Sequence, residues 1–321
     1  MSAENPILNS PYERPSRHWR LTDDGALTQI VETGRRKSEY FVPIAATKKR
    51  TTQAELDLDR IDSKGRAFRP NELVNEIRAH VESWRELPPA QWAVTHETAR
   101  LLEHWRSGSA SPPPFFCQIE AAETLIWLEE VAPKQGQYKS LVEKLKGLGD
   151  SHNSGLYRLA AKMATGSGKT TVMAMLIAWQ TVNAARGRKN FSDAFLIVCP
   201  GITIRDRLNV LLPSDPANYY EHRGIAPDDM IGDIRKARIV ITNYHAFRHR
   251  ETLNMPKYAR EVLQGRDEPI STIETDGQML ARVCPELLAR KNIIVLNDEA
   301  HHCYEESAGA SEEEKIDADE K

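Results

Sequence analysis

The stretch Met163-Ala-Thr-Gly-Ser-Gly-Lys-Thr170 decides the fold predicted for this chain. Its two glycines allow a tight turn, so that backbone N–H groups and the start of the following helix converge on negative charge. Lys169 offers a cation to the β- and γ-phosphates of a nucleotide, and the Thr170 hydroxyl offers a ligand to Mg²⁺. Met163 replaces the first glycine of the general pattern, which leaves a chance glycine turn as the alternative. The predicted nucleotide-binding residues here are Thr165, Gly166, Ser167, Gly168, Lys169 and Thr170.

Two carboxylates follow the apolar run Ile293-Ile-Val-Leu296. At the end of a buried strand, Asp298 is expected to hold the Mg²⁺, and Glu299 to orient or activate water against the γ-phosphate. An isolated Asp-Glu pair is common on surfaces and means little. Its position after an apolar strand, downstream of a phosphate loop, favours the catalytic interpretation.

The region around these motifs alternates between strand-like and helix-like patterns. Strands are predicted at 156–163, 194–199, 237–242 and 292–297, helices at 169–185, 202–211 and 278–289, and a loop at 147–155. Short apolar runs of this kind suit buried parallel strands, whose carboxyl ends bind ligands in open sheets. The sequence therefore predicts an α/β fold with a parallel sheet.

The phosphate loop and the box Asp298-Glu-Ala-His301 resemble motifs I and II of superfamily 2 helicases. Within that superfamily, the chain resembles the helicase subunits of type III restriction enzymes over about residues 115–304. The opening Asn5-Pro-Ile-Leu-Asn-Ser-Pro-Tyr-Glu-Arg-Pro-Ser-Arg-His18 is similar to one branch of restriction-type helicases. The resemblance implies a RecA-like P-loop NTPase domain that uses ATP and Mg²⁺ and acts on nucleic acid, with duplex DNA as the expected partner.

Further roles follow from the resemblance. Phe115-Phe-Cys-Gln118 precedes the first motor helix as the adenine-recognising Q motif does, so Gln118 would bond the adenine edge and Phe115 or Phe116 would pack on the ring. A helix start with a buried aromatic is the alternative. His301 would couple the nucleotide site to a neighbouring domain, against the alternative of an ordinary histidine at a strand end.

Two loops resemble the motifs that contact the nucleic-acid backbone in this family. Cys199-Pro-Gly201 with Arg205 resembles motif Ia, and Thr242-Asn-Tyr-His245 resembles motif Ib. Hydroxyl, amide and backbone donors suit phosphate oxygens. The predicted nucleic-acid contacts are Pro200, Gly201, Arg205, Thr242, Asn243 and Tyr244, with turn or packing roles as the alternatives.

The N-terminal part predicts a smaller, mixed or helical region. A strand begins near Tyr40-Phe-Val-Pro-Ile-Ala45, and helices are predicted at 70–87, 95–105 and 118–131. The run Ser107-Gly-Ser-Ala-Ser-Pro-Pro-Pro114 has the composition of a linker. We therefore expect an accessory region at 1–110, an ATP-binding domain at 111–304 and an acidic, disordered tail at 305–321.

Composition places the chain among ordinary globular proteins, with 40% hydrophobic and 28% charged residues and a net charge of -3. No overall basic charge argues for nucleic acid. Local basic clusters occur at Arg14, Arg17 and Arg20, at 35–37, at 48–50, and at Arg248 and Arg250. Each cluster alone is more often a solvated surface than a binding patch. Four scattered cysteines, expected to be buried thiols, and the absence of a signal-like or membrane-spanning run predict a cytoplasmic location.

A motor of this class needs a second RecA-like domain with an arginine finger, and only 17 residues follow Tyr304. The expectation is therefore a restriction-type DNA helicase or translocase subunit cut before that domain, with little activity alone and with a modification or specificity subunit as a further partner. A non-catalytic nucleotide- or DNA-binding fragment and an RNA-directed helicase remain alternatives. The tripeptides Asp62-Ser-Lys64 and Glu313-Glu-Lys315 lack the strand context of a nuclease centre.

Overall fold

The computed structural model describes residues 7–22, 27–43, 60–61, 66–110, 112–152, 155–250 and 274–298. The chain divides into two compact units, Met1–Val172 and Met173–Lys321, called the first and the second unit below. The predicted division at 1–110, 111–304 and 305–321 stays a prediction.

The first unit opens with antiparallel strands. Strand β1 (Arg17–Leu21) pairs with β2 (Leu27–Thr33), and β3 (Glu39–Pro43), β5 (Arg66–Pro70) and β4 (Arg60–Ile61) form a sheet in the order β3-β5-β4. Strand β3 confirms the predicted strand start near Tyr40. The β1–β2 pair escapes sequence reasoning, because β1 reads Arg-His-Trp-Arg-Leu and lacks a clear alternation of apolar and polar residues.

Helices follow in the first unit: α1 (Glu72–Arg85), α2 (His96–Arg106), α3 (Phe116–Ile126) and α4 (Lys139–His152), with a π-helical turn at Trp127–Val131. Helix α1 begins where the Asn71 side chain accepts from the Val74 N–H, and α2 where the Thr95 hydroxyl accepts from the Thr98 N–H. Both helices, and α3 with its continuation, confirm the predicted helices at 70–87, 95–105 and 118–131.

Large aromatic and aliphatic side chains fill the core between these helices. Trp84, Trp105 and Trp127 are each at most 3% exposed, and Leu101 and Ile126 are fully buried. The indole N–H of Trp84 donates to the Trp92 carbonyl oxygen at 2.9 Å, so this buried donor keeps a partner. The core thus fixes the direction of α3, whose first turn carries the predicted Q motif.

Two predictions for the first unit are wrong. Residues 156–163 form no strand, because their backbone joins no sheet among the described residues and most of their side chains are exposed, including Leu156 and Tyr157. Residues 147–152 belong to α4 rather than to a loop. Buried Leu141 and half-buried Leu145 give this helix an apolar side, and its two glycines, Gly147 and Gly149, are tolerated at a cost of about 1 kcal/mol each.

The second unit contains a parallel sheet in the order β7-β6-β8, formed by β6 (Ala194–Cys199), β7 (Arg238–Asn243) and β8 (Ile294–Asn297). The central strand β6 is almost entirely buried, as its unbroken apolar sequence predicts. The sheet confirms the predicted α/β class and the last three predicted strands.

Helices accompany this sheet: α5 (Lys169–Ala185), which crosses the boundary between the units, α6 (Ile202–Arg207), α7 (Tyr219–His222), α8 (Asp228–Ile234) and α9 (Asp276–Val283). Helix α5 has the predicted bounds, whereas α9 ends earlier than predicted, because Pro285 follows Cys284 and starts a separate 3-10 turn. Within the described ranges, no helix is both long and apolar enough to cross a bilayer.

The cysteines divide by environment. Cys199 and Cys284 are buried free thiols, as predicted. Cys117 is exposed, so the prediction is wrong for this residue, which lies in the first turn of α3. Cys303 lies outside the described residues.

Candidate functional site

The predicted phosphate loop is an irregular turn that leads directly into α5. Gly166 and Gly168 adopt φ angles of +77° and +83°, which side-chain-bearing residues rarely adopt. The Ser167 N–H and hydroxyl both donate to the Ala164 carbonyl oxygen, at 3.3 and 2.6 Å. Lys169 is the first residue of the 17-residue helix α5. The turn therefore has the glycine geometry and the helix start that phosphate binding requires.

The Gln118 side chain ties this loop to the start of α3. Its Oε1 accepts from the Phe115 N–H at 3.0 Å, and its Nε2 donates to the Ser167 carbonyl oxygen at 2.9 Å. The packing is so close that a Cβ on Gly168 would lie 2.2 Å from Nε2. Gln118 is 4% exposed and has a second amide hydrogen. Adenine recognition by Gln118 stays a prediction, but its link to the phosphate loop is present.

The two aromatic residues before Gln118 differ in their surroundings. The Phe115 ring lies 5.5 Å from that of the exposed Tyr12, and the Phe116 N–H donates to the Pro11 carbonyl oxygen at 2.8 Å. Phe116 is approached by guanidinium groups of Arg35 and Arg85, at 6.0 and 5.2 Å from the ring centre. Packing of either ring on adenine stays a prediction, and Phe116 already has cationic neighbours.

A buried carboxylate joins α3 to the two preceding helices. The fully buried Glu123 accepts from the Nε atoms of Arg85 on α1 and Arg106 on α2, each at 2.6 Å. Glu120, one turn earlier, accepts from both terminal nitrogens of Arg35. Charge-assisted pairs of this kind hold α3 in one orientation, and with it the position of Gln118.

In the second unit, the predicted residues gather at the carboxyl end of the sheet. Cys199 ends β6 opposite Asn243 of β7, and the Asp298 N–H donates to the Val198 carbonyl oxygen at 2.9 Å. Burial raises the pKa of the Cys199 thiol, and the negative charge of Asp298 raises it further, so the carboxylate lies near this strand end. Asp298 thus occupies the sheet edge at which open α/β folds bind ligands.

The predicted motif Ia residues form the turn between β6 and α6. The Arg205 N–H donates to the Gly201 carbonyl oxygen at 3.1 Å, and the Cys199 thiol lies 3.5 Å from the same oxygen. Pro200 is half-buried within this turn, and the Arg205 side chain is 46% exposed. The structure therefore brings Pro200, Gly201 and Arg205 together with Asp298 at one sheet edge.

The predicted motif Ib residues lie at the end of β7. The Asn243 Oδ1 accepts from the Ala246 N–H at 3.0 Å and so caps the 3-10 turn Tyr244–Phe247. The Thr242 hydroxyl donates to the Asn243 carbonyl oxygen at 3.5 Å, and the Tyr244 and His245 rings lie 3.8 Å apart. Asn243 therefore has a turn-forming role, and phosphate contacts by these residues stay predictions.

Sequence reasoning missed two residues beside motif Ib, Glu274 and Arg282. The Arg282 guanidinium donates to the carbonyl oxygens of Ala246 and Arg248, at 3.0 and 3.1 Å. It also forms a two-point pair with Glu274 at 2.9 and 2.8 Å. No local pattern signals this pair, because its partners are separated in sequence from the turn that they hold.

The remaining predicted residues lie beyond this geometry. Glu299 and His301 fall outside the described residues. Lys169 and Thr170 belong to the first unit and Asp298 to the second, so their joint action on one nucleotide stays a prediction.

Comparison with known families agrees with the α/β fold. The family model for the type III restriction enzyme Res subunit matches residues 114–318, which is more than half of the 321-residue chain. The chain has no significant match among curated proteins and none among solved structures. The matched range begins just before α3 and includes residues 163–170 and the parallel sheet. The chain belongs to the family of type III restriction enzyme Res subunits.

Proposed function

We propose that this chain is an ATP-dependent DNA helicase or translocase subunit of a restriction-type system. The observation that carries the proposal is the phosphate loop, in which Lys169 opens a long helix and Gln118 binds the Ser167 carbonyl. This arrangement combines backbone donors, a helix start and a lysine at one place. ATP is the ligand that suits it within this family.

Mg²⁺ would be held by the Thr170 hydroxyl and the Asp298 carboxylate. Both are hard oxygen donors, the kind that Mg²⁺ prefers, and each lies at the motif position that the family uses. The ion would neutralise charge on the transferred phosphoryl group. Lys169 would stabilise the β- and γ-phosphates, and Glu299 would orient the attacking water. His301 would couple the nucleotide site to a neighbouring domain.

Duplex DNA would contact the second unit at the turns after β6 and β7. Arg205 is exposed there, and Thr242 and Tyr244 add polar donors at the neighbouring strand end. Contacts of these kinds bind phosphate and sugar without reading the sequence. A modification or specificity subunit would then supply the recognition site.

The test measures binding of a fluorescent ATP analogue and turnover of ATP, each with and without duplex DNA. Lys169→Ala should weaken nucleotide binding by about 10- to 100-fold, since hydrogen bonds to charged groups contribute about 1.5–3 kcal/mol. Lys162→Ala is the matched control, because Lys162 is an exposed lysine just before the loop. DNA should raise nucleotide affinity or turnover in the wild type.

The outcomes separate the alternatives. Equal binding by the Lys169→Ala variant and the wild type would overturn the nucleotide site. Normal binding with neither turnover nor any response to DNA would favour a non-catalytic nucleotide-binding role. A response to RNA that exceeds the response to DNA would favour an RNA-directed helicase.

A further inference from the structure

The segment of residues 244–250, which starts within motif Ib and continues beyond it, is held by one side chain just before α9 and one in its last turn. Besides its bonds to the carbonyls of Ala246 and Arg248, Arg282 pairs at two points with Glu274, which is 6% exposed. Glu274 Oε2 also accepts from the Arg250 N–H at 3.2 Å, and the Glu274 N–H donates to the Arg250 carbonyl oxygen at 3.0 Å. Three backbone positions of the segment are therefore fixed.

The helix that carries Arg282 is itself fixed at its start. The Thr275 hydroxyl accepts from the Gln278 N–H at 3.3 Å, and the Gln278 side chain accepts from the Thr275 N–H at 3.0 Å. This reciprocal cap satisfies two backbone donors and sets where α9 begins. Arg282 lies in the last turn of the eight-residue helix, so the planar guanidinium reaches the segment in a defined geometry.

The residues at the end of the segment differ in their contacts. His249 faces the start of α9, with Nδ1 2.7 Å from the Glu274 carbonyl oxygen and Nε2 3.2 Å from the Asp276 carboxylate. Arg248 has an extended backbone, with φ −69° and ψ 132°. Arg250 follows two residues later, where its carbonyl oxygen accepts from the Glu274 N–H. Both arginines are exposed.

We propose that Arg248 and Arg250 contact the phosphates of the nucleic acid, and that Arg282 and Glu274 are positioning residues that present them. This proposal rests on the proposed function, because it extends the nucleic-acid surface from motif Ib along residues 244–250. The two arginines provide local positive charge for phosphate binding, although the net charge of the whole chain is -3. Fixing their backbone in advance lowers the entropy that is lost when they bind.

The test is the salt dependence of duplex DNA binding. For B-DNA, each phosphate contact contributes about 0.9 to the slope of log affinity against log salt. The variant with both Arg248→Gln and Arg250→Gln should therefore lower the magnitude of the slope by about 1.8. Both positions are exposed, so this variant should keep the fold, which binding of the fluorescent ATP analogue and the melting temperature check.

The positioning role is tested with Arg282→Lys, which keeps the charge but loses the planar fork. It should reduce the magnitude of the salt slope, but by less than the double variant does, and it should leave nucleotide binding unchanged. Added to the Arg248→Gln, Arg250→Gln background, it should have no further effect on DNA affinity, because the contacts that it positions are already gone. Arg290→Lys is the control, since Arg290 pairs with Asp193 at 3.2 Å elsewhere in the second unit.

The outcomes of these measurements distinguish this proposal from the proposed function. An unchanged slope in the double variant, with wild-type DNA binding intact, overturns this proposal and leaves the proposed function standing. An additive loss from Arg282→Lys in the double-variant background overturns the positioning role, since it would indicate a general structural effect. A wild-type chain that binds neither duplex DNA nor RNA overturns the proposed function together with this extension of it.

Discussion

Glu123 in the first unit and Glu274 in the second are two nearly buried carboxylates that bind arginine in different ways. Glu123 accepts from Arg85 and Arg106, which come from two other helices. Glu274 binds Arg282 of the neighbouring helix and the backbone N–H of Arg250. The first carboxylate joins helices, and the second fixes a surface segment. We therefore expect the first to matter mainly for stability and the second mainly for binding.

Removal of Glu123 should give the largest loss of stability. Glu123→Ala leaves two guanidinium groups without their shared partner, and we expect the free energy of unfolding to fall by about 3 kcal/mol, the low end for a broken buried pair. The low end applies because Arg85 and Arg106 keep 19% and 20% of their side-chain surface exposed. The free energy of unfolding is measured by urea unfolding monitored by tryptophan fluorescence.

Glu103→Ala is the matched control for this change. Glu103 is an exposed glutamate on α2, so its removal should change stability by no more than about 0.5 kcal/mol. Trp84, Trp92, Trp105 and Trp127 all report on the first unit. Equal effects of the two substitutions would contradict a special role for Glu123.

A glycine pair tests whether the phosphate loop depends on its contact with α3. Gly168→Ala would bring a Cβ to 2.2 Å from Gln118 Nε2, whereas Gly187→Ala meets nothing within 4 Å. Both glycines have similar φ angles, +83° and +86°, so each variant should pay about 1–2 kcal/mol of backbone strain. Only Gly168→Ala should also lose nucleotide binding, measured with the fluorescent ATP analogue. Equal nucleotide affinity in the two variants would show that the contact with Gln118 is dispensable.

The smallest expected effect concerns pH. Hydrogen bonding to Arg282 lowers the pKa of the Glu274 carboxyl from 4.5 to about 2. A lowered pKa means that the carboxylate stabilises the folded state fully above pH 4.5 and loses this contribution as the pH falls toward 2. The melting temperatures of wild type and Glu274→Gln should therefore converge over this window and differ by a constant amount at higher pH.

Glu286→Gln is the control for the pH series, since Glu286 is an exposed glutamate in the same unit. Its melting temperature should follow that of the wild type over the whole range. A constant difference between wild type and Glu274→Gln from pH 7 to pH 2 would argue against the pairing of Glu274 with Arg282 in solution.

Sequence reasoning succeeded where a local pattern decides the structure. Helix α5 has the predicted bounds because a phosphate loop precedes it and apolar residues continue through it. Strand β6 is predicted because its six residues are all apolar, and the structure buries five of them. The prediction of a strand at 156–163 failed because a strand needs a neighbouring strand to bond with. The sequence of these residues does not reveal whether such a neighbour is present. Sequence reasoning also failed in α4, where Gly147 and Gly149 indicate a loop but the helix continues through them.

The sequence by itself determined the α/β class, the phosphate loop and the order of the motifs, because glycine spacing and apolar runs act over a few residues. Only the tertiary structure decided that Gln118 binds Ser167 and that Arg282 holds the segment after motif Ib. Gln118 and Ser167 are 49 residues apart, and Arg282 and Ala246 are 36 apart. A polar side chain can form hydrogen bonds with several different acceptors. The packing of the intervening elements determines which acceptor lies close enough to bind.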